Sequence, residues 1–335
     1  MKNRPLWLNL VLLVVLAVMP LLLSSYGLKL GSEVLIMAIF VMSLGLIIGF
    51  AGLVSLGHAA FFGAGAYTVT LIGDHLNNTY VLLLAAILVS GILAFISGLL
   101  FIRSSGAYFL MITLAFGQML YAIAYKMEDI TGGVDGKPVL ATFDLGFGAI
   151  DSRLTFYYVT AVAFAASYFL LRVFISSPLG KSVRGIKENE SRMTALGYNT
   201  RNYKLVVYTL SGMMAGFAGG LYSYFNEYIS PDLLNWMFSG QALIMVIVGG
   251  VGTLLGPAIG AGFFVILQNY ISSYTERWPI IMGLIFVAIV LYGRGGIIHI
   301  VSLIWNLLFR RKNRDQNMQH KEGTGIDSSK SGTSV

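Results

Sequence analysis

The 335-residue sequence contains no cysteine, four histidines, and charged side chains at only 11% of positions. Without cysteine the chain forms no disulfide and no thiolate nucleophile or metal ligand. His58, His75, His299 and His320 stand far apart, in no spacing that gathers a metal, so neither a catalytic cluster nor a metal site is expected. The shortage of charge excludes more. A soluble chain carries about a quarter of its residues as Asp, Glu, Lys or Arg. Here 56% of residues are hydrophobic and mean hydropathy is +0.77, so the solvent for most of the chain is lipid.

Asp, Glu, Lys and Arg are missing altogether from 34–73, 76–102, 104–125, 154–171, 205–226, 233–275 and 278–293. A spanning helix needs about 20 largely apolar residues, so 34–73 and 233–275 each hold two passes. With the N-terminal run at 6–23, the reading is an all-α, polytopic transmembrane bundle of about ten helices. The expected passes are 6–24, 33–51, 55–73, 80–102, 106–125, 155–175, 205–225, 239–254, 257–274 and 279–300. Such runs lack the alternation of a membrane barrel. The pass at 239–254 is short and rich in glycine, so 239–262 is expected to be broken or re-entrant. Lys2 and Arg4 ahead of an apolar stretch fit a signal-peptide template, but no small-x-small site follows, and a retained helix is expected. Residues 1–311 then form one transmembrane domain, in which 297–309 extends the last helix or lies along the interface. The polar, Ser-, Gly- and Lys-rich stretch 312–335 reads as a disordered cytoplasmic tail.

The formal net charge of +7 is a matter of topology and not of nucleic-acid binding. Lys and Arg accumulate on cytoplasmic loops. Lys181, Arg184, Lys187, Arg192, Arg201 and Lys204 share one loop, and Arg310, Arg311, Lys312 and Arg314 follow the last pass. Glu128, Asp129, Asp135, Asp144 and Asp151 share another. Walking the passes with both termini inside places every basic cluster in the cytoplasm and the acidic 126–153 loop outside.

Two nucleotide-like motifs fail on inspection. Gly180-Lys181-Ser182 lacks the glycine that a phosphate loop needs five residues earlier, where Ile175 stands. GVGTLLG at 250–256 has one residue too many for a dinucleotide fingerprint and lies inside an apolar run. The chain is therefore expected to bind no cofactor of its own. Gly45 with Gly49, Gly256 with Gly260, and the series Gly212, Gly216 and Gly220 have the spacing that lets helices approach closely.

The predicted helix interiors offer neutral polar groups and no ionisable relay of the kind proton-driven carriers use. Energy for active transport would then come from another subunit. The candidate translocation path is His58, Phe61, Thr113, Gln118 and Gln241. His58 also admits a plainer reading, as a ring near the cytoplasmic interface bonded to its own neighbours. The 176–204 loop could dock such a subunit: a Pro-Gly entry leads into a helical pattern ending at Gly197, with Ile186, Met193 and Leu196 as an apolar ridge. Its alternative is a basic loop resting on anionic lipid.

Six segments in order resemble the permeases of branched-chain amino-acid ABC importers. They are GLVSLGHAAFFGAGAY at 52–67, GAYFLMITLAFG at 106–117, TGGVDG at 131–136, SPLGK at 177–181, RGIKENESRMTALGYN at 184–199 and IVGGVGTLLGPAIGA at 247–261. The 131–136 loop looks like the M type of the two permeases such importers pair. The resemblance implies a second homologous permease, two cytoplasmic ATPase subunits that use ATP, and an extracytoplasmic substrate-binding protein, assembled in a bacterial plasma (inner) membrane. It makes 188–197 the coupling helix, with Gly185, Glu188, Glu190, Met193, Ala195, Leu196 and Gly197 as contacts; Ser191 and Arg192 depart from the alanines common there. Thr131, Gly132, Gly133 and Asp135 become candidates for seating the binding protein, or form a turn only. Related permeases carry urea or short amides. An independent secondary carrier or channel is the rival of another class.

Overall fold

A computed structural model describes residues 14, 16–21, 23–144 and 152–292. The 297–309 extension, the 312–335 tail, the end of the 279–300 pass and the start of the 6–24 pass lie outside the described residues. Residues 16–21 are helical.

In chain order the helices are α1 (Ser25–Leu46, continued by a π-helical turn over Ile47–Ala51), α2 (His58–Gly73), α3 (Thr79–Phe101) and α4 (Ala107–Lys126). After the short α5 (Glu128–Thr131) come α6 (Arg153–Ser176), α7 (Pro178–Glu188), α8 (Glu190–Ala195) and α9 (Thr200–Asn226). The last are α10 (Trp236–Gly249), α11 (Gly256–Ser272) and α12 (Trp278–Tyr292). Among the described residues the strands are a short ribbon in which β1 (Lys137–Pro138) pairs antiparallel with β2 (Tyr228–Ile229). The sequence supplies many of the starts. Ser24, Asn78, Ser177, Asn189, Asn199 and Asn235 each accept a hydrogen bond from a backbone N–H in the first turn they precede.

Five of these helices are long and apolar enough to cross a membrane: α1 with its π turn, α3, α4, α6 and α9. The chain is a multi-pass membrane protein. α1 is buried almost continuously from Leu35 to Ala51 and forms the centre of the bundle. α3 instead turns Leu84, Leu88, Ile92, Ile96 and Leu100 outward, a face suited to acyl chains and not to water. Glycine sets the closest approaches. A Cβ at Gly216 would run into the Ser90 side chain of α3, and one at Gly65 of α2 into the Gly216 backbone, so α2, α3 and α9 meet almost backbone to backbone.

The loops sort to two ends. At one end Lys137 pairs with Asp74 at 2.5 Å, and the ribbon ties 137–138 to 228–229. This acidic end also carries Glu128, Asp129 and Asp135. At the other, basic end, Lys187 Nζ donates to the Gly49 carbonyl at 2.8 Å, and Arg103 shares a cleft of about 800 Å³ with Arg201 and Lys204.

Two of the shorter helices begin part-way across the bundle. α2 has 16 residues and α10 has 14, which at about 1.5 Å per residue gives well under the roughly 30 Å of a hydrocarbon core. The segment 52–57 leaves the basic end of α1 and runs back into the bundle before α2 starts. The 3₁₀ turn Pro231–Leu234 does the same from the acidic end before α10, with Leu234 against Gly63 of α2. The amino ends of α2 and α10 then meet inside the protein, where the Ala59 N–H donates to Ser239 Oγ at 2.8 Å. From there α2 runs to Asp74 and α10 to Gly250, in opposite senses.

Candidate functional site

The meeting point of α2 and α10 is a polar knot in an otherwise apolar core. His58, the first residue of α2, has no exposed surface. Its Nε2 lies 2.7 Å from Ser43 Oγ of α1, and Ser211 of α9 donates to the Ser43 carbonyl at 2.5 Å. Ser43 is 8 residues from the end of α1's π turn and Ser211 is 11 from the start of α9. At about 1.5 Å per residue the knot lies roughly 12–16 Å below the basic end, near the middle of a membrane. The reading of His58 as an interfacial ring with local bonds is therefore corrected: its partner is 15 residues away, on another helix. Its imidazole stacks on Phe40 at 5.6 Å and meets Phe61 edge-on at 5.8 Å.

Phe61 and Thr113 join the same region. Phe61 touches Tyr208 and Phe116, and its carbonyl accepts from Ser90. Thr113 Oγ1 of α4 accepts the Leu56 N–H at 3.2 Å, which holds the returning segment 52–57 in place. These three path candidates are thus brought together as a closed, packed junction. Gln118 on α4 and Gln241 on α10 are half-buried and make no hydrogen bond to it, and Gln118 Nε2 has no partner among the described residues. Ser43 and Ser239, which complete the knot, were missed; each is one of several hydroxyls in its apolar run, and nothing in the sequence sets it apart.

At the basic end, Ser177 caps α7, and Asn189, at φ −158°, ends α7 and caps α8. The break at Asn189 corrects the single apolar ridge. Ile186 turns inward with Val183 and is 2% exposed, Met193 is half-buried against Gly185, and Leu196 is 66% exposed. Gly197 follows α8 at φ +88°, a conformation glycine adopts freely. Glu190 pairs with Lys204 at 2.7 Å, tying α8 to α9. Glu188 and Ala195 are exposed. On the other side, Lys187 caps the end of α1 at Gly49, and the Arg184 guanidinium sits 5.1 Å from the Phe50 ring centroid. Lys187 and its carbonyl partner also escaped the sequence reading, since nothing in the spacing of 49 and 187 relates them. The phosphate-loop lookalike at 180–182 is simply the first turn of α7.

At the acidic end, Thr131 Oγ1 is 2.5 Å from the Ala124 carbonyl and 2.8 Å from that of Met127, and it accepts the Gly133 N–H at 3.3 Å. Gly132, Gly133 and Gly136 all have positive φ. Those residues form the turn; Asp135 is left exposed beside the ribbon. Among the described residues no group of three or more His, Asp or Glu could hold a metal ion.

Helices that stop at mid-depth, spans that face lipid and a basic helix pair bolted to the central helix define a membrane transport permease. The chain belongs to the family described as branched-chain amino acid transport system / permease component, whose profile matches residues 27–292. It is 26% identical over 311 residues to the high-affinity branched-chain amino acid transport system permease protein LivM of Salmonella typhimurium, covering 86% of this chain and 73% of that one. The corresponding LivM of Escherichia coli is 27% identical over 314 residues, 86% of this chain and 74% of the relative. The galactose/methyl galactoside import permease protein MglC of Salmonella typhimurium is 29% identical over 179 residues, about half of each chain. No solved structure matches.

Proposed function

We propose that this chain is the M-type membrane subunit of an ATP-driven importer for branched-chain amino acids, crossing a bacterial plasma (inner) membrane about ten times with both termini in the cytoplasm. The basic end faces the cytoplasm and receives two ATPase subunits on α7–α8. The acidic end receives an extracytoplasmic binding protein near Asp135. A second homologous permease completes the path, and ATP is bound and hydrolysed by the partners alone. The re-entrant stretch through α10 and α11 belongs to the moving part. One observation carries the reading beyond family membership: α7 is fixed by Lys187 and Arg184 to the end of α1, and α1 holds the His58 knot through Ser43. A push on α7–α8 therefore reaches the centre of the membrane through one helix. Alternating access follows if the ATPases bind the two arrangements unequally.

Reconstitution tests it. The chain is placed in proteoliposomes alone, then with the second permease, ATPases and binding protein, and radiolabelled leucine and urea uptake are measured with and without ATP. Leucine uptake confined to the full, ATP-supplied assembly is expected. Urea uptake in its place would change the solute, and ion-driven uptake by the chain alone would overturn the subunit reading.

A further inference from the structure

The cleft at the basic end has a lining unlike the rest of the bundle. Its walls are the 102–105 turn between α3 and α4, one face of α8, and the start of α9. On α8 that face is Glu190, Ser191 and Thr194. Arg192, Ala195 and Leu196 stand on the opposite side of the same helix and are exposed. The α8 side left for a soluble partner is therefore not the side that lines the cleft. Its volume of about 800 Å³ is that of a small-ligand site, roughly 300–1,000 Å³. Ile102 is the one wholly hydrocarbon side chain among the described residues that line it, so the cleft suits a polar ligand.

Three cations and one anion border this space: Arg103, Arg201, Lys204 and Glu190. Lys204 is 6% exposed and fixed in the wall, its ammonium donating to Glu190 at 2.7 Å. That pair cancels its own charge. Arg103 and Arg201 have no ion pair or hydrogen bond among the described residues, where the pairs within 4.0 Å are Lys137 with Asp74 and Lys204 with Glu190. A local role does not explain Arg201. It is the second residue of a 27-residue helix, where the dipole is positive and a cation is disfavoured. α4 also starts beside this cleft, and its N-cap Gly106 has no side chain to bond the first N–H groups. Two helix amino ends and two unpaired guanidiniums thus raise the positive potential of one polar cleft.

Position decides where the anion comes from. α3 and α4 are both long enough to span, so the turn between them lies at the membrane surface. Leu100 stands two residues before Ile102 and Tyr108 three after Ser105. Both are exposed, as are Ile96 and Met111 one turn deeper, so the lipid-facing surface of α3 and α4 runs up to the rim. A phosphate seated here keeps its acyl chains on that surface. Basic pockets between spanning helices suit anionic headgroups.

We infer that the cleft binds the phosphodiester headgroup of one anionic phospholipid. Arg103 and Arg201 pair with the phosphate oxygens, Lys204 adds its charge from the wall, and the Ser104 and Thr194 hydroxyls bond the rest of the headgroup. The lipid then ties the α3–α4 turn to α8 and α9. The inference goes beyond the importer reading and holds whatever solute the chain carries.

The full chain, purified in a neutral detergent, is titrated with phosphatidylglycerol or phosphatidylcholine, and bound lipid is counted by native mass spectrometry. Wild type is compared with the double variant Arg103→Gln/Arg201→Gln and with Lys181→Gln/Arg192→Gln, which loses the same charge at the same end but outside the cleft. All four side chains are exposed, so thermal unfolding should stay within a few degrees of wild type in both. One phosphatidylglycerol retained in preference to phosphatidylcholine is expected, with affinity about tenfold or more weaker in the cleft variant and within about twofold of wild type in the other. Equal retention of the two lipids overturns the site, as does an equal loss in both variants, which would mean a diffuse basic surface. Two further arms test the source. Displacement by inorganic phosphate, and not by chloride at the same ionic strength, would make the ligand a soluble phosphate and overturn the lipid assignment. Loss of the lipid once the ATPase subunits are assembled would give the cleft to them and overturn it equally.

Discussion

At His58 the surrounding donors decide which ring nitrogen carries the proton. Ser43 has one hydroxyl hydrogen, and the Phe40 carbonyl lies 2.6 Å away to accept it. Ser43 Oγ then faces His58 as an acceptor, so Nε2 carries the proton and Nδ1 keeps a buried lone pair without a partner among the described residues. Ser43→Ala strands a buried N–H and should cost about 1–3 kcal/mol. His58→Ala removes the bond and the stacked ring together and should cost about 3–5 kcal/mol. Thermal unfolding of the detergent-solubilised protein reads both, and an unchanged Ser43→Ala would mean that the hydrogen bond contributes nothing. Lys187 is decisive at the same scale. Its ammonium neutralises a carbonyl at the end of α1, where the helix carries partial negative charge. Lys187→Met should leave ATPase activity in the assembly but lower leucine uptake several-fold, because the push on α7 no longer reaches α1.

Among whole elements, α8 gives the sharpest test of coupling. Met193 N–H donates to the Asn189 carbonyl at 3.2 Å inside a helix of six residues. Met193→Pro deletes that bond and adds a ring clash, about 3 kcal/mol against a helix with little else to hold it. Uptake should vanish while membrane insertion, followed by fractionation, is unchanged; normal uptake would remove α8 from the coupling path. The elements themselves were legible in the sequence because a lipid core forbids charge: the expected 80–102 and 155–175 are α3 at Thr79–Phe101 and α6 at Arg153–Ser176. The direction of the chain was not legible. Residues 52–57 are as apolar as the helices they separate, so 34–73 read as two ordinary passes and hid the re-entry that buries His58. Charge was also taken as the mark of a helix end, which placed the start of α1 at 33 and left Lys29 outside the span. Pairings such as Ser43 with His58 and Gly49 with Lys187 carry no pattern in one dimension.

Taken as a molecule, the bundle depends on close backbone contact more than on bulk. α9 passes α2 and α3 where a side chain at Gly216 would overlap Ser90, and there the helices have no slack. Gly216→Leu should separate α2, α3 and α9 and abolish recoverable assembly, seen as loss of a monodisperse peak by size exclusion. The substitution Gly106→Ala is a control of a different kind: its backbone is at φ +58° with nothing within 4 Å of a new Cβ, so any cost is conformational and local. The two helices that begin in mid-membrane also bear on how the chain is made. α2 leaves the ribosome early, yet its partners Ser211, Gly216 and Ser239 follow more than 150 residues later. Until then a histidine and a run of turn-forming residues must wait in or beside the bilayer, held by α1, α3 and α4 alone. Synthesis therefore sets a delay at this point, and a nascent chain stalled before residue 200 would hold α2 unlocked, open to proteases and to insertase factors that the finished protein excludes.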